Sequence, residues 1–356
     1  MFHIGIRAGE NVYKMIMNDG VQPDSILTYI GPAVGPRWLV ASGFDLSLLN
    51  SGMLGNKYPV QLIGASAGAL RFAAWVQPEP EKSYMELINS YISMIFGRKE
   101  SSKSILDTLQ WLIDSYIEDG AIPFALANRR YRLSVITARA KHLAASEVRL
   151  FQFLGLAFAG SLNVFNPMGL NAFFQRILFH SGALPPPSCM NGSFSGLAVA
   201  LNEANFKSAL LASSAVPLAA AGVRNIFGAP RGIYRDGGMV DYHFNQNYGR
   251  KGKSDVVLMF HHEARLIPSW FDRYLKYRKP SSSMTENLLL IHPTEDFVKR
   301  LPGGKIPTRR DFYEFADNPP ERIKRWKDVV RESEHLGEEF IELLQANKLK
   351  EVTVRI

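Results

Sequence analysis

The feature that most constrains the fold is a serine between two glycines, placed where a largely apolar segment gives way to an alanine-rich one. Residues 60–63 are mostly apolar, residues 64–68 read Gly-Ala-Ser-Ala-Gly, and residues 69–75 are rich in alanine. The first segment predicts a buried strand and the last predicts a helix. The chain must turn sharply at such a junction, and the glycines allow the turn from which the serine hydroxyl projects. Ser66 is therefore our candidate nucleophile.

A second unit of strand, turn and helix precedes this one. Residues 26–30 predict a buried strand, residues 31–37 predict a turn rich in Gly and Pro, and residues 38–49 predict a helix. Further strands are expected at residues 133–137, 256–260 and 288–291, and further helices at residues 84–118 and 319–347. Strands that alternate with helices indicate a parallel sheet. We therefore predict an α/β protein of three layers, α/β/α, with a central, mainly parallel sheet and a C-terminal helical extension.

Composition excludes several classes of protein. The chain has 356 residues, of which 46% are hydrophobic and 21% are charged, so it can bury a core without disulfides. Its single cysteine, Cys189, excludes an internal disulfide and a cysteine-based zinc site, and we interpret it as a small apolar residue. No segment matches a phosphate-binding or dinucleotide-binding pattern, and no strong ligand cluster predicts a metal. We therefore expect no cofactor.

A second candidate for chemistry is Asp236, which begins the sequence Asp-Gly-Gly at residues 236–238. Aspartate followed by glycine is common in plain turns. A carboxylate in a tight glycine turn can also lie rigidly beside a serine hydroxyl and accept its proton as a general base. Asp241 is a weaker candidate base because no glycine turn would hold it. His243 is expected to lie near the site without a catalytic part.

These motifs resemble those of the patatin-like phospholipases. The resemblance rests on residues 64–68, on residues 236–238 and on the Ala-Ser-Ser-Ala-Val-Pro segment at residues 212–217. It implies a lipid acyl hydrolase of the phospholipase A or esterase type, with a serine–aspartate dyad and no histidine. Ser66 would then be the nucleophile and Asp236 the base. Water would release the fatty acid from an acyl-enzyme on the serine.

The oxyanion loop of that family usually reads Gly-Gly-Gly-x-Arg/Lys-Gly, whereas residues 31–37 here read Gly-Pro-Ala-Val-Gly-Pro-Arg. Proline has no N–H to donate. The resemblance therefore implies Ala33, Val34 and Gly35 as the oxyanion donors, with Arg37 as an electrostatic or structural aid. The glycines expected to support the motifs are Gly31, Gly64, Gly68, Gly237 and Gly238.

Two other functions stay open on sequence grounds. A chain whose oxyanion loop has lost its usual glycines could keep the fold and act only as a lipid-binding or protein-interaction module. The other is a Ser-His-Asp esterase of the α/β-hydrolase type, which needs an acid and then a histidine after the serine. Its acid would be Asp236 or Asp255, and its histidine His261, His262 or His292. Against it, Ser66 follows only about two predicted strands, and no His-Gly-Gly motif precedes it.

Residues 150–202 form a nearly uncharged stretch, in which Arg176 is the only Lys, Arg, Asp or Glu. One interpretation is buried core. The other is that part of the stretch walls an acyl-chain groove or forms a lipid-facing lid. The predicted groove residues are Phe153, Phe158, Phe165, Phe173 and Phe174.

Charge patterning bears on the partner and the compartment. The net charge of +8 is spread along the chain without a nucleic-acid-binding signature, so we expect a lipid or phospholipid partner and no nucleic acid. Residues 265–279 mix basic and aromatic side chains, which suits peripheral contact with anionic headgroups at a membrane. Charged residues near the N-terminus do not fit a signal peptide, and no segment is apolar enough for a convincing transmembrane helix. We expect a cytoplasmic protein that reaches membranes from outside the bilayer.

The dyad also bears on domain organisation. Ser66 and Asp236 lie 170 positions apart but must meet, so residues 24–262, which the resemblance covers, should be one domain. We predict an N-terminal extension at residues 1–23, a patatin-like catalytic domain at residues 24–265 and a C-terminal helical extension packed on the core at residues 266–356. The sequence leaves the oligomeric state open.

Overall fold

The computed structural model of the chain describes residues 2–97, 99–186, 196–243, 246–249 and 255–356. Cys189 lies outside these ranges. The described strands form one mixed sheet: β1 Ile4–Ala8, β2 Ile26–Gly31, β3 Val60–Ala65, β4 Tyr131–Ala140, β5 Phe174–His180, β6 Gly196–Ala200, β7 Val223–Arg224, β8 Ile233–Asp236, β9 Val256–Phe260, β10 Leu288–Pro293 and β11 Thr353–Arg355.

The centre of the sheet is parallel, in the order β10-β9-β2-β3-β4, and the antiparallel pairs lie on either side of it. Parallel strands covered by helices on both faces are apolar on both sides. In β9, Leu258 and Phe260 enter the core on one face, while Val257 and Met259 enter the core on the other. The predicted three-layer α/β/α fold with a mainly parallel sheet is confirmed.

Helices cover both faces of this sheet. The described α-helices are α1 Glu10–Asn18, α2 Ser42–Ser51, α3 Ala67–Trp75, α4 Pro80–Ser93, α5 Ser102–Tyr116, α6 Ile122–Ala127, α7 Arg149–Phe165, α8 Phe206–Ser214, α9 Ser282–Thr285, α10 Glu295–Arg300, α11 Asp311–Glu314, α12 Pro319–Gln345 and α13 Leu349–Val352. Helices α2, α3, α4, α8 and α12 contribute to the core on one face, whereas α7 lies over the other. The helical region predicted at residues 84–118 is two helices, the second of which begins where the Ser101 hydroxyl accepts the Ser104 N–H at 3.0 Å.

Strands come from all three predicted segments of the chain. β1 lies within residues 1–23 and pairs antiparallel with β10 and parallel with β11, which both lie within residues 266–356. The long helix α12 packs on α2, where Ser333 Oγ accepts a hydrogen bond from the Gly43 N–H at 2.9 Å. The domain boundaries stay a prediction. In the part of the chain that the structure describes, no helix has the length and apolar character to cross a membrane.

Candidate active site

Ser66 lies on a sharp turn between β3 and α3. Its backbone has φ 53° and ψ −123°, a conformation that a residue with a side chain rarely adopts. Close backbone contact makes the turn possible. A Cβ on Gly68 would lie 1.9 Å from the Gly31 carbonyl oxygen, and one on Gly64 would lie 2.5 Å from the Ala69 nitrogen. The start of α3 thus packs directly on the strand ends, as a nucleophile turn requires.

The Ser66 hydroxyl donates a hydrogen bond to Asp236. Ser66 Oγ and Asp236 Oδ2 are 2.7 Å apart, and each residue is only 5% exposed. The other carboxylate oxygen, Oδ1, accepts the Gly238 N–H at 2.7 Å. Asp236 is the last residue of β8, so the strand holds it on one side and the glycine turn on the other. Buried hydrogen bonds to a charged group therefore fix the contact between two distant parts of the chain.

The segment at residues 212–217 joins the serine to the aspartate. Ser213 Oγ accepts the Ser66 N–H at 2.8 Å and donates to a carbonyl of β4 at 2.7 Å. Two residues further on, the Ala215 carbonyl accepts the Asp236 N–H at 3.0 Å. Buried backbone groups need such partners. One short segment therefore satisfies the backbone of both members of the pair.

Burial sets the electrostatics of Asp236. It raises the pKa of the Asp236 carboxyl above its ordinary value, because a carboxylate loses hydration in this site. The charge of Arg309 and the hydrogen bonds from Ser66 and Gly238 oppose part of that rise. A carboxylate with a raised pKa takes up a proton more readily than an ordinary surface aspartate.

Ser66 and Asp236 open into a cavity of about 330 Å³. Residues 33–35 and Arg37, which the oxyanion motif singled out, also line it. The other described lining residues are Val216, Met239, Tyr242, Trp270, Arg273, Thr308, Arg309 and Arg310. The basic aromatic stretch of the sequence contained two of these. For residues 308–310, in contrast, the only feature of the sequence that could have indicated a site is the two adjacent arginines.

The structure leaves two of the three predicted oxyanion donors available. The Ala33 N–H donates to the Tyr242 carbonyl at 2.7 Å, which corrects the prediction for Ala33, because an occupied donor cannot also bind an oxyanion. Within the described ranges, the N–H groups of Val34 and Gly35 have no such acceptor. Gly35 has φ +56°, and Arg309 Nε lies 3.1 Å from where its Cβ would be. Arg309 thus places positive charge beside these donors.

No histidine completes a triad with Ser66. Among the residues that the structure describes, the side chains of Ser66 and Asp236 hydrogen-bond to each other and to the Gly238 N–H, and to no ring nitrogen. His292 lies in β10, where its Nδ1 is 2.9 Å from the Pro293 carbonyl oxygen. The geometry therefore favours a dyad over a Ser-His-Asp arrangement.

Three histidines instead form a cluster at the end of β9, in which His243 and His261 are buried and His262 is partly exposed. The ring of His243 is 4.1 Å from that of His261, which is 4.2 Å from that of His262, and His243 also stacks on the cavity residue Tyr242 at 4.3 Å. Burial lowers the pKa of His261 to about 3 and holds the pKa values of the other two well below the ordinary value. These rings are therefore neutral at pH 7. In the described ranges, no group of three or more His, Cys, Asp or Glu is arranged to hold a metal ion.

Asp241 and Asp255, the other acids considered, are placed differently. Asp241 Oδ2 accepts a hydrogen bond from the guanidinium of the buried Arg176 at 3.0 Å. Burial raises the pKa of Asp241 to about 6, and Arg176 opposes that rise. Asp255 precedes β9, where its carbonyl accepts the Asn287 amide at 2.7 Å. Asp241 is thus an ion-pair partner and not the base of Ser66.

The predicted groove residues do not line this cavity. Phe174 is fully buried in the core, and Phe173 is partly buried against it. Phe153, Phe158 and Phe165 lie on the outer side of α7 and are 56%, 60% and 88% exposed. The groove interpretation is corrected for these five residues, because α7 turns its phenylalanines toward solvent and β5 buries Phe174 in the sheet core.

Comparison with known proteins gives a structural likeness but no family. No family model matches the chain, and no curated protein matches it. Among solved structures, human GIVD cytosolic phospholipase A2 is similar with a TM-score of 0.41 and 11% sequence identity, over 96% of this chain and 62% of that chain. This chain therefore spans less than two thirds of the length of that protein.

Proposed function

We propose that the chain is a serine acyl hydrolase that cleaves lipid esters, of the phospholipase A or esterase type. The observation that carries the proposal is the hydrogen bond of 2.7 Å from Ser66 Oγ to Asp236 Oδ2. A buried hydroxyl on a strained turn, bonded to a buried carboxylate whose pKa is raised, is suited to nucleophilic attack. The resemblance of the motifs to those of patatin-like phospholipases supports the same reaction.

The dyad supplies both the nucleophile and the proton acceptor. Ser66 Oγ attacks the ester carbonyl carbon while its proton passes to Asp236 Oδ2, which gives a tetrahedral oxyanion. Collapse of this species breaks the bond to the alcohol, which leaves with the proton from Asp236, and an acyl-enzyme remains. Water then attacks the acyl carbonyl and gives a proton to Asp236. Collapse releases the fatty acid and returns that proton to Ser66 Oγ.

We assign oxyanion stabilisation to the N–H groups of Val34 and Gly35. Gly35 begins a 3₁₀ helix, at the end where N–H groups lack acceptors within the helix. Losing one such donor typically costs about 10²–10³ in rate, and the Ala33 donor is already occupied. The positive charge of Arg309 beside Gly35 would offset part of that loss. The half-buried Arg37, which also lines the cavity, would contribute further positive charge.

The cavity lining supports a phospholipid as the substrate. Val216 and Met239 offer apolar surface beside the dyad, and four arginines line the same cavity. Among the described lining residues, Asp236 is the only carboxylate. Arg310 pairs with Glu314 outside the lining at 3.2 Å, and the other three arginines keep the cavity positively charged. A phospholipid carries both an acyl ester and a phosphate group, which apolar and arginine side chains respectively bind.

One observation favours a second candidate. The occupied Ala33 N–H and the prolines of residues 31–37 reduce the number of oxyanion donors, which would suit a lipid-binding or interaction module of the same fold. Hydrolysis distinguishes the two candidates. The module would fold and bind lipid but release no fatty acid at any pH.

A fluorophosphonate probe and an ester-hydrolysis assay test the proposed function together. The wild type should react with the probe and hydrolyse the ester. Ser66→Ala should lose both properties and keep its circular dichroism spectrum. A folded wild type that does neither supports the module instead. Loss of both in His261→Ala or His292→Ala, with the fold intact, supports a Ser-His-Asp esterase.

A further inference from the structure

Helix α7 exposes most of its large apolar side chains, and only Leu156 among them is buried in the core. The exposed leucines and phenylalanines form the surface that we call the α7 face: Leu150, Phe151, Phe153, Leu154, Phe158, Leu162 and Phe165. Each is more than a third exposed, and Phe165 is 88% exposed. A helix on a water-facing surface normally turns such residues inward. A contiguous apolar surface of this kind marks a site of interaction.

The inward side of α7 carries Leu156 together with small and polar residues, which fix the helix in this orientation. Gln152 donates to a carbonyl just before the helix at 3.0 Å and accepts the Leu218 N–H at 2.6 Å. Asn163 donates to Asp272 Oδ1 at 2.7 Å. Gly155 packs so closely that a Cβ there would lie 2.4 Å from a neighbouring backbone nitrogen. Turning the phenylalanines inward would break these contacts, so the fold itself presents the α7 face outward.

Positive charge lies beside the α7 face. Arg278 donates to the carbonyls of Asn163 and Val164 at 3.0 and 3.2 Å, which ties the basic stretch to the C-terminal end of α7. The other basic residues of that stretch are Arg265, Arg273, Lys276 and Lys279, and its exposed aromatic residues are Tyr274 and Tyr277. The stretch therefore brings cations and tyrosines to the edge of the apolar surface.

Acidic side chains offset only part of this charge. Residues 149–202 contain no Asp or Glu. Asp272 is buried, accepts a hydrogen bond from Ser269 Oγ at 2.7 Å and lies 3.9 Å from Arg278 Nε, so it offsets part of the charge of that arginine. Glu147 pairs with the buried Arg235 at 2.8 Å. The edge of the α7 face is thus complementary in charge to an anionic surface.

The α7 face and the cavity are neighbours. The ring of Phe271 lies 5.8 Å from that of Phe174, and 3.5 Å from where a Cβ on Gly160 of α7 would be. Trp270, which precedes Phe271, and Arg273, two positions after it, belong to the same turn, and both line the cavity. A surface that covers α7 and the basic stretch therefore also meets the mouth of the cavity.

We propose that the α7 face docks the protein on an anionic lipid bilayer, with α7 lying in the plane of the interface. A bilayer fits better than a protein partner, because every side chain of the face is hydrocarbon without a group to fix a partner's orientation, and its edge is cationic. The tyrosines suit the headgroup level. The biological use of this docking rests on the proposed function, for which it would bring membrane esters to the cavity, but docking itself needs no catalysis.

Vesicle binding by the Ser66→Ala chain tests docking apart from catalysis. The probes are vesicles of phosphatidylcholine, alone or mixed with phosphatidylglycerol, and bound protein is measured by co-sedimentation. In this background Phe158→Ser should weaken binding about tenfold, because one phenylalanine no longer enters the hydrocarbon. Phe124→Ser is the matched control. Phe124 is 50% exposed on α6, a helix that precedes β4 in the chain, whereas α7 follows β4. Because Phe124 is not part of the α7 face, this variant should bind vesicles as its parent does.

The cationic edge has a test of its own. Lys276→Gln with Lys279→Gln should weaken binding to the anionic vesicles severalfold and make it less sensitive to salt, with little effect on vesicles of phosphatidylcholine alone. Both lysines are exposed, so the fold should be kept. Equal loss on both kinds of vesicle would contradict the electrostatic part of the proposal.

Two results overturn the proposal. One is that Phe158→Ser, with an unchanged melting temperature, binds the anionic vesicles as its parent does. The other is that the wild type does not bind vesicles and forms a dimer that Phe158→Ser dissociates. The α7 face would then be an interface between copies of the chain. Failure of the proposed function looks different, because the wild type would then bind the vesicles and release no fatty acid.

Discussion

The inner and outer walls of the cavity are held in different ways. The inner wall consists of residues 33–35, Ser66 and Asp236, and the outer wall of Trp270, Arg273 and residues 308–310. Buried hydrogen bonds and close backbone contacts at strand ends fix the inner wall. The outer wall comes from loops of the C-terminal part, and its residues are half-buried or exposed. The geometry of Ser66 and Asp236 thus depends on the sheet. The charge that faces a substrate depends on loop side chains, which can be substituted with little effect on the stability of the fold.

The largest effect is expected from the base on the inner wall. Asp236→Asn should lower kcat about 10²–10⁴-fold, because an amide cannot take up the Ser66 proton. The amide oxygen can still accept the Gly238 N–H, so the fold should be kept. Single-turnover release of the alcohol from a chromogenic ester measures the effect. A variant within twofold of the wild type would remove Asp236 from the mechanism.

The next effect concerns the segment that holds the inner wall together. Ser213→Ala should lower the free energy of unfolding by about 1–3 kcal/mol, because it leaves the Ser66 N–H buried without an acceptor. It should also slow acylation, since the nucleophile turn loses a support. Urea unfolding measures the first quantity. Ser51→Ala, at an exposed position at the end of α2, is the control and should change little. Equal stability of the two variants would show that the Ser213 bond does not hold the turn.

A smaller, selective effect is expected on the outer wall. Arg309→Gln should lower kcat/KM about tenfold for an ester with a phosphate group and much less for a neutral ester. Both esters lose the charge beside Gly35, but only the first also loses a cation for its phosphate. Arg300→Gln, an exposed arginine at the end of α10, should leave both values unchanged. If Arg309→Gln affects both esters equally, the residue serves the oxyanion and not the headgroup.

The smallest effect at neutral pH comes from the buried histidines. The pKa of His261 is about 3 in the folded chain, below its value near 6.5 in the unfolded chain. The unfolded chain therefore binds more protons between these values. The contribution of His261 to the free energy of unfolding is fully present above pH 6.5. It is lost as the pH falls toward 3, by up to about 1.4 kcal/mol per pH unit.

Urea unfolding from pH 7 to pH 4 measures this slope. His261→Gln should flatten it, provided that the variant is folded at pH 7 by circular dichroism. A slope that is unchanged in the variant would show that His261 does not titrate with unfolding.

The inner wall could be predicted from the sequence because its requirements are local. Residues 64–68 and 236–238 are short segments in which close backbone contact requires glycine. The spacing of these glycines is visible in the sequence alone. The occupied Ala33 donor is not local, since it depends on Tyr242 more than two hundred positions away. The place of Arg309 could not be predicted for the same reason, because no spacing rule links a C-terminal loop to the end of β2.

The sheet shows the same limit. The five central strands are mostly apolar, because both of their faces are buried, and all five were predicted. β1 and β11 at one edge, and β5 to β8 toward the other, are short or carry polar residues, and only pairing with distant strands makes them strands. In α7 the apolar character of the stretch was visible. Its orientation was not, because the partners of Gln152 and Asn163 decide which side faces inward.

The most direct test of the dyad is to locate and time the fluorophosphonate adduct by mass spectrometry. We predict one adduct on Ser66 of the wild type, formation at least a hundredfold slower in Asp236→Asn, and wild-type formation in folded His261→Gln and His292→Gln. An adduct on another serine, or its loss in a folded histidine variant, would contradict the assignment of Ser66 and Asp236 as a self-sufficient catalytic pair.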